Sequence, residues 1–170
     1  MVAESGATLL DEDARDALRE GLLPRAAVVT PNVPEARVLA EVGEEVGAED
    51  LARGVHALGP RAVVITGGHR EEPTDLFFDG QGVVPIGGER HPGGAAHGSG
   101  CTHSSALAAH LALGLSPLDA ARAAKVIAAE AVRDGLREIG GGAGPVDVLG
   151  LRRGSAPTRR GGGSEPGPLA

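Results

Sequence analysis

Two five-residue apolar runs, Ala26-Ala27-Val28-Val29-Thr30 and Ala62-Val63-Val64-Ile65-Thr66, constrain the fold of this chain more than any other feature. Neither alternates apolar with polar residues, so each predicts a short strand covered on both faces, the habit of parallel sheets. Pro31 stops the first run, and Gly67-Gly68-His69 stops the second. Helical patterns surround them. Residues 11–22 predict an amphipathic helix, with Asp11 as N-cap and Ala14, Leu18 and Leu22 at helical spacing. Asn32 predicts the N-cap of a helix through Leu39, with Pro34 in its first turn and Glu35 at the capping-box position. Residues 50–58 predict another helix, closed by Gly59-Pro60. Helix, strand, helix, helix, strand is the order of an α/β protein with a largely parallel sheet.

Farther along, Thr74-Asp75-Leu76-Phe77-Phe78 and Val83-Val84-Pro85-Ile86 flank Asp79-Gly80-Gln81-Gly82, a hairpin signal with Asp-Gly at its turn. Two long helices follow, over 99–113 up to Gly114 and over 117–136 with Ser116 as N-cap. Residues 1–150 read as one domain. Residues 151–170, rich in Gly, Pro and Arg, predict a disordered tail.

Composition narrows the function classes. The net charge is −7, and the only basic cluster is Arg152, Arg153, Arg159 and Arg160 in the tail, which argues against a nucleic-acid partner. With two Phe, no Trp and no Tyr, the core must be aliphatic and no base-stacking platform is available. A single Cys excludes an internal disulfide and fits a reducing cytoplasm. No run approaches the roughly 18 apolar residues of a membrane span, and Met1-Val2-Ala3-Glu4-Ser5 has no signal-peptide pattern. The expectation is a cytoplasmic protein with no membrane partner.

Candidate functional residues gather where the predicted strands end and a helix begins, which is where ligands bind in open α/β sheets. In His97-Gly98-Ser99-Gly100-Cys101-Thr102 the glycines let backbone N–H groups converge, and the helix that follows adds its positive dipole end. That is an anion cradle with the only thiol at its edge. Cys101 is either an inert packed thiol or, where the dipole favours negative charge, a base or nucleophile. Asn32-x-x-Glu35 is either a capping box alone or a phosphate and Mg²⁺ site in which Glu35 faces the ion and its waters. Thr66-x-Gly68 is either a strand-ending turn or a phosphate contact through hydroxyl and amide. His91, His97, Cys101 and His103 form a local cluster, but their spacings do not match those that place two ligands on one zinc ion, and His103 reads as a solvent-facing residue.

Three ordered segments carry a family resemblance: Thr30-Pro31-Asn32-Val33-Pro34-Glu35-Ala36, Val64-Ile65-Thr66-Gly67-Gly68-His69 and His97-Gly98-Ser99-Gly100-Cys101-Thr102-His103-Ser104-Ser105-Ala106. Together they resemble hydroxymethylpyrimidine/phosphomethylpyrimidine kinase, the thiamine-pathway member of the ribokinase-like superfamily. The likeness runs from Met1 to about Val148, and Gly144-Pro145-Val146-Asp147 resembles the family's closing segment. The resemblance implies a ribokinase-like three-layer α/β sandwich with a largely parallel sheet. It also implies ATP-dependent phosphorylation of 4-amino-5-hydroxymethyl-2-methylpyrimidine and of its monophosphate. Gly98, Ser99, Gly100 and Cys101 would form the anion hole, with Cys101 as the base. Asn32 and Glu35 would organise Mg²⁺ and phosphate, and Thr66 and Gly68 would contact ATP phosphates. Family members often carry Lys in place of Thr66 and Thr in place of Ser99.

The resemblance also implies that the chain starts past the family's early sheet strands. Residues 1–150 would then be the C-terminal, ATP-side portion, without the N-terminal strands and the glycine-rich substrate loop, and with an open sheet edge prone to aggregation. A pyridoxal or pyridoxine kinase of the same fold, and a nucleotide-binding remnant without catalysis, are the alternatives. A homodimer is one assembly that the resemblance leaves open.

Overall fold

The computed structural model describes residues 10–67, 73–92 and 94–151. Asp11 is extended, and helix α1 runs Glu12–Ala17. The chain then widens into a π turn over Leu18–Leu22 and tightens into a 3₁₀ turn over Leu23–Arg25. Gly21 and Pro24, both poor residues for a helix interior, fall in this stretch. A π turn shifts the register of every later side chain. Of the apolar face expected at Ala14, Leu18 and Leu22, Leu18 packs against the core, but Leu22 is 59% exposed and its neighbour Leu23 enters the core in its place.

Residues 26–31 run beside strand β1, Val63–Ile65, as the sequence predicts. Val29 N–H donates to Ala62 O at 3.1 Å, Val64 N–H to Val29 O at 2.8 Å, and Thr66 N–H to Pro31 O at 2.9 Å. The pairing is parallel, at Val29–Val63 and Asn32–Thr66, but stays at isolated bridges. Pro31 has no N–H to continue it.

The three regular strands form an antiparallel sheet in the order β1, β2 (Asp75–Phe78), β3 (Val83–Ile86), so parallel pairing is confined to bridges among the described residues. The reason is chain length. A parallel crossover needs a dozen or more residues, whereas residues 66–74 and the Asp79-Gly80 turn are too short to make one. The hairpin itself forms as expected, with Gln81 N–H donating to the Asp79 carboxylate.

Helices cover both faces. On one side lie α2, Val33–Ala40, and α3, Ala48–His56; on the other lie α4, Ser99–Ala112, and α5, Pro117–Arg133. The second long helix ends before Leu136, where Asp134 and Gly135 turn the chain. Adjacent strand residues point to opposite faces, so Phe77 and Phe78, the only aromatics, are divided between two cores. Phe78 joins Leu39, Leu51, Val55, Val63 and Ile65 under α2 and α3. Phe77 joins Val64, Ile86, Leu107, Ala120, Ala121 and Ala124 under α4 and α5. No helix among the described residues is long and apolar enough to cross a membrane. Of the expected tail, residues 151–170, all but Leu151 lie outside the described residues.

Candidate active site

Asn32 and Thr66 end neighbouring parallel segments and are bridge partners, which places the first two motifs side by side at the carboxyl ends of their strands. Asn32 caps α2 as its sequence predicts: its Oδ1 accepts Glu35 N–H at 2.8 Å, and Glu35 Oε2 accepts Asn32 N–H at 3.1 Å. The capping box is complete, with Pro34 in the first turn. The structural reading of Asn32-x-x-Glu35 is thus realised. A carboxylate has lone pairs beyond the one this bond uses, so the box leaves the ligand reading open as well. Gly68 and His69 lie outside the described residues.

The glycine loop is pinned from below by the chain's closing segment. His97 pairs with Pro145 in a parallel bridge; its N–H donates to Gly144 O at 3.2 Å and its carbonyl accepts Val146 N–H at 3.0 Å. Gly98 then takes φ 89°, a left-handed conformation that suits glycine, and becomes the N-cap of α4. Ser99 N–H donates to Ala96 O, and Thr102 N–H and Oγ1 both donate to Gly98 O. No side chain caps the remaining first-turn amides, which include those of Gly100 and Cys101. Such amides, at the positive end of a 14-residue helix, favour an anion. Cys101 is exposed and free at the same turn, so the thiol is not packed away.

A side-chain contact joins the helix that this loop opens to the strand ends. Thr30 Oγ1 and Ser104 Oγ are 2.9 Å apart, linking the residues just ahead of Asn32 to the second turn of α4. His103 is not the solvent-facing residue that its sequence position suggests. It is 4% exposed, with Nε2 3.6 Å from Asp75 Oδ2, while Cys101 on the same helix is exposed. Burial pushes its imidazole below the ordinary histidine range; Asp75 opposes that shift and Lys125 adds to it. Among the described residues no three His, Cys, Asp or Glu side chains group as a metal site.

Sequence reasoning missed the charged residues behind the motifs. Asp75 is 1% exposed, and its Oδ1 accepts both Gly67 N–H at 2.8 Å and Lys125 Nζ at 2.7 Å. The only available signal was an acid opening an otherwise apolar strand, together with the sole lysine of the chain.

The family model for phosphomethylpyrimidine kinase matches residues 1–147. The chain belongs to the phosphomethylpyrimidine kinase family. It is 45% identical over 152 residues to hydroxymethylpyrimidine/phosphomethylpyrimidine kinase of Rhizobium meliloti (strain 1021), covering 86% of this chain and 57% of that protein. The Synechococcus elongatus protein of the same name is 42% identical over 151 residues, covering 86% of this chain and 57% of its own length. Among solved structures, pyridoxal kinase from Staphylococcus aureus in complex with ADP superposes with a TM-score of 0.79 at 33% identity, covering 90% of this chain and 57% of that one. The fold is thus that of the ribokinase-like kinases, and the chain spans little more than half the length of these relatives.

Proposed function

We propose that this chain carries the ATP-side half of a kinase acting on 4-amino-5-hydroxymethyl-2-methylpyrimidine and then on its monophosphate. The observation that carries the reading is the loop 98–101: a left-handed glycine opening a helix with no side-chain cap, beside an exposed thiol, in a member of this family. Phosphoryl transfer calls for fixed donors aimed at the charge that develops on the γ-phosphoryl oxygens. The cradle of Gly98, Ser99, Gly100 and Cys101 is assigned to supply them through the uncapped amides of Gly100 and Cys101, since Ser99 N–H already donates to Ala96 O. Cys101 accepts the hydroxymethyl proton as that oxygen attacks the γ-phosphorus, the bond to the β,γ-bridging oxygen breaks, and ADP leaves. In the second step the nucleophile is an already ionised phosphate oxygen, so the base matters less.

Thr66 and Gly68 are assigned to ATP phosphates, and Asn32 and Glu35 to the region of Mg²⁺. The half-buried Glu35 carboxylate fits an ion held through water, since Oε2 already accepts the capping bond. Mg²⁺, when bound, would neutralise charge between phosphates. The same reading includes the cytoplasm as compartment. It also takes the Val29–Val63 and Asn32–Thr66 bridges as part of a largely parallel sheet in the three-layer sandwich of the longer relatives.

Phosphotransfer is assayed with this chain alone and with the remaining segment of the Rhizobium relative added as a separate polypeptide. Formation of the pyrimidine monophosphate, reduced about 100-fold by Cys101→Ala as expected of a lost acid–base group, supports the assignment. The second phosphorylation should lose less. The superposition on pyridoxal kinase favours one second reading: turnover of pyridoxal without turnover of the pyrimidine would select it. ADP binding with no turnover of either substrate would leave a nucleotide-binding remnant.

A further inference from the structure

We propose that Asp75 is a positioning residue whose buried carboxylate, paired with Lys125, ties the turn after β1 to α5 and abuts α4 at His103, fixing the two phosphate-facing elements relative to each other. The inference rests on the reading of loop 98–101 and of Thr66 as parts of a phosphate site. Three otherwise separate pieces of chain converge on this one side chain. Oδ1 takes the Gly67 amide and the Lys125 ammonium, and Oδ2 lies 3.6 Å from His103 Nε2, two residues along α4 from Cys101. Each is held closely. A Cβ on Gly67 would lie 2.0 Å from Thr74 O, so the turn passes too near the β2 strand for any side chain. A Cβ on Gly88 would lie 2.6 Å from Lys125 Cε, so the lysine stem runs under the chain leaving β3.

The chemistry argues that this is more than packing. A buried ion pair is costly to desolvate and is often replaced without loss by apolar residues of similar volume. What an apolar replacement cannot do is accept the Gly67 N–H. That amide belongs to the residue that follows Thr66, so holding it holds the chain at the proposed Thr66 phosphate contact. His103 ring nitrogens have no hydrogen-bond partner although the residue is buried. The imidazole therefore meets Asp75 as a close neighbour of α4 and adds no second bond that would hold the helix without the carboxylate.

The test uses the 170-residue chain and two variants that remove the charges together. Asp75→Leu/Lys125→Met leaves no acceptor for Gly67 N–H, and Asp75→Asn/Lys125→Met keeps a neutral one. Amide hydrogen exchange is read at Gly67 and over 99–102, and ADP affinity by calorimetry. The expected result is a folded leucine variant with exchange at both places at least 10-fold faster and ADP bound at least 10-fold more weakly. The asparagine variant should recover most of both. Wild-type exchange in the leucine variant overturns the proposal, as does faster exchange with unchanged ADP affinity. If the leucine variant does not fold, Asp75→Asn alone is read against the same two measurements. If the unmodified chain binds no ADP, the phosphate-site reading is what fails, and exchange alone decides whether Asp75 couples the two elements.

Discussion

On one face of the sheet, α2 and α3 pack Leu39, Leu51 and Val55 onto Val63, Ile65 and Phe78; on the other, α4 and α5 bring Leu107, Ala120, Ala121 and Ala124 to Val64, Phe77 and Ile86. The first side holds no buried charge among the described residues. The second holds Asp75, Thr102, His103 and Lys125, and Asp147 is hydrogen-bonded to α5 through Ala131 O. Alternation along β2 explains the division: Leu76 and Phe78 face the aliphatic side, Asp75 and Phe77 the other. Alanine leaves little side-chain bulk between helix and sheet, so a lysine stem and a carboxylate can fit where leucines would fill the space. The side that carries the proposed phosphate loop gives up apolar burial for fixed polar geometry, whereas the opposite side supplies bulk stability.

Breaking the charge pair alone should cost most. Lys125→Met leaves Asp75 buried without its counter-ion, a change expected to destabilise by about 3–5 kcal/mol in urea denaturation; a loss below about 1 kcal/mol would mean that the second side is not organised around this pair. On the aliphatic side, Leu51→Ala should cost about 2–5 kcal/mol through lost burial and a cavity. Its ADP affinity, measured while folded, should stay at the wild-type level, because the proposed ligand residues Asn32, Glu35, Thr66 and 98–101 are not among the residues of that core. Ala124→Leu probes the fit of the thin side and should cost about 1–3 kcal/mol by overpacking; an unchanged Tm would show slack there.

The smallest effect expected is acid sensitivity. Because the folded chain holds His103 below the ordinary value of 6.5, the unfolded chain binds more protons as pH falls. The stability associated with this residue is full above about pH 6.5 and is lost as pH drops toward the folded value. Tm should therefore fall between pH 7.5 and pH 5.5, and His103→Gln should reduce that fall. An equal fall in both proteins would place the acid sensitivity elsewhere.

Local chemistry made much of this protein legible in its sequence. Asn32, Pro34 and Glu35 specify a helix start within four residues, Asp79-Gly80 specifies a tight turn, and Gly98 ahead of an alanine-rich run specifies a helix opening on a glycine. Those features depend on neighbours in the chain, so spacing alone reveals them. The motif segments likewise carried the family resemblance, which the match over residues 1–147 bears out. Other features were settled by partners distant in sequence. The shift from Leu22 to Leu23 as the buried residue follows a π turn, the antiparallel sheet follows short connections, and the burial of His103 follows from what packs against α4. The pairing of Asp75 with Lys125 spans 50 residues, and no local pattern encodes it. Sequence determined which groups could hold phosphate; only the tertiary structure decided which buried charge stands behind them, because burial and ion pairing depend on where distant segments meet.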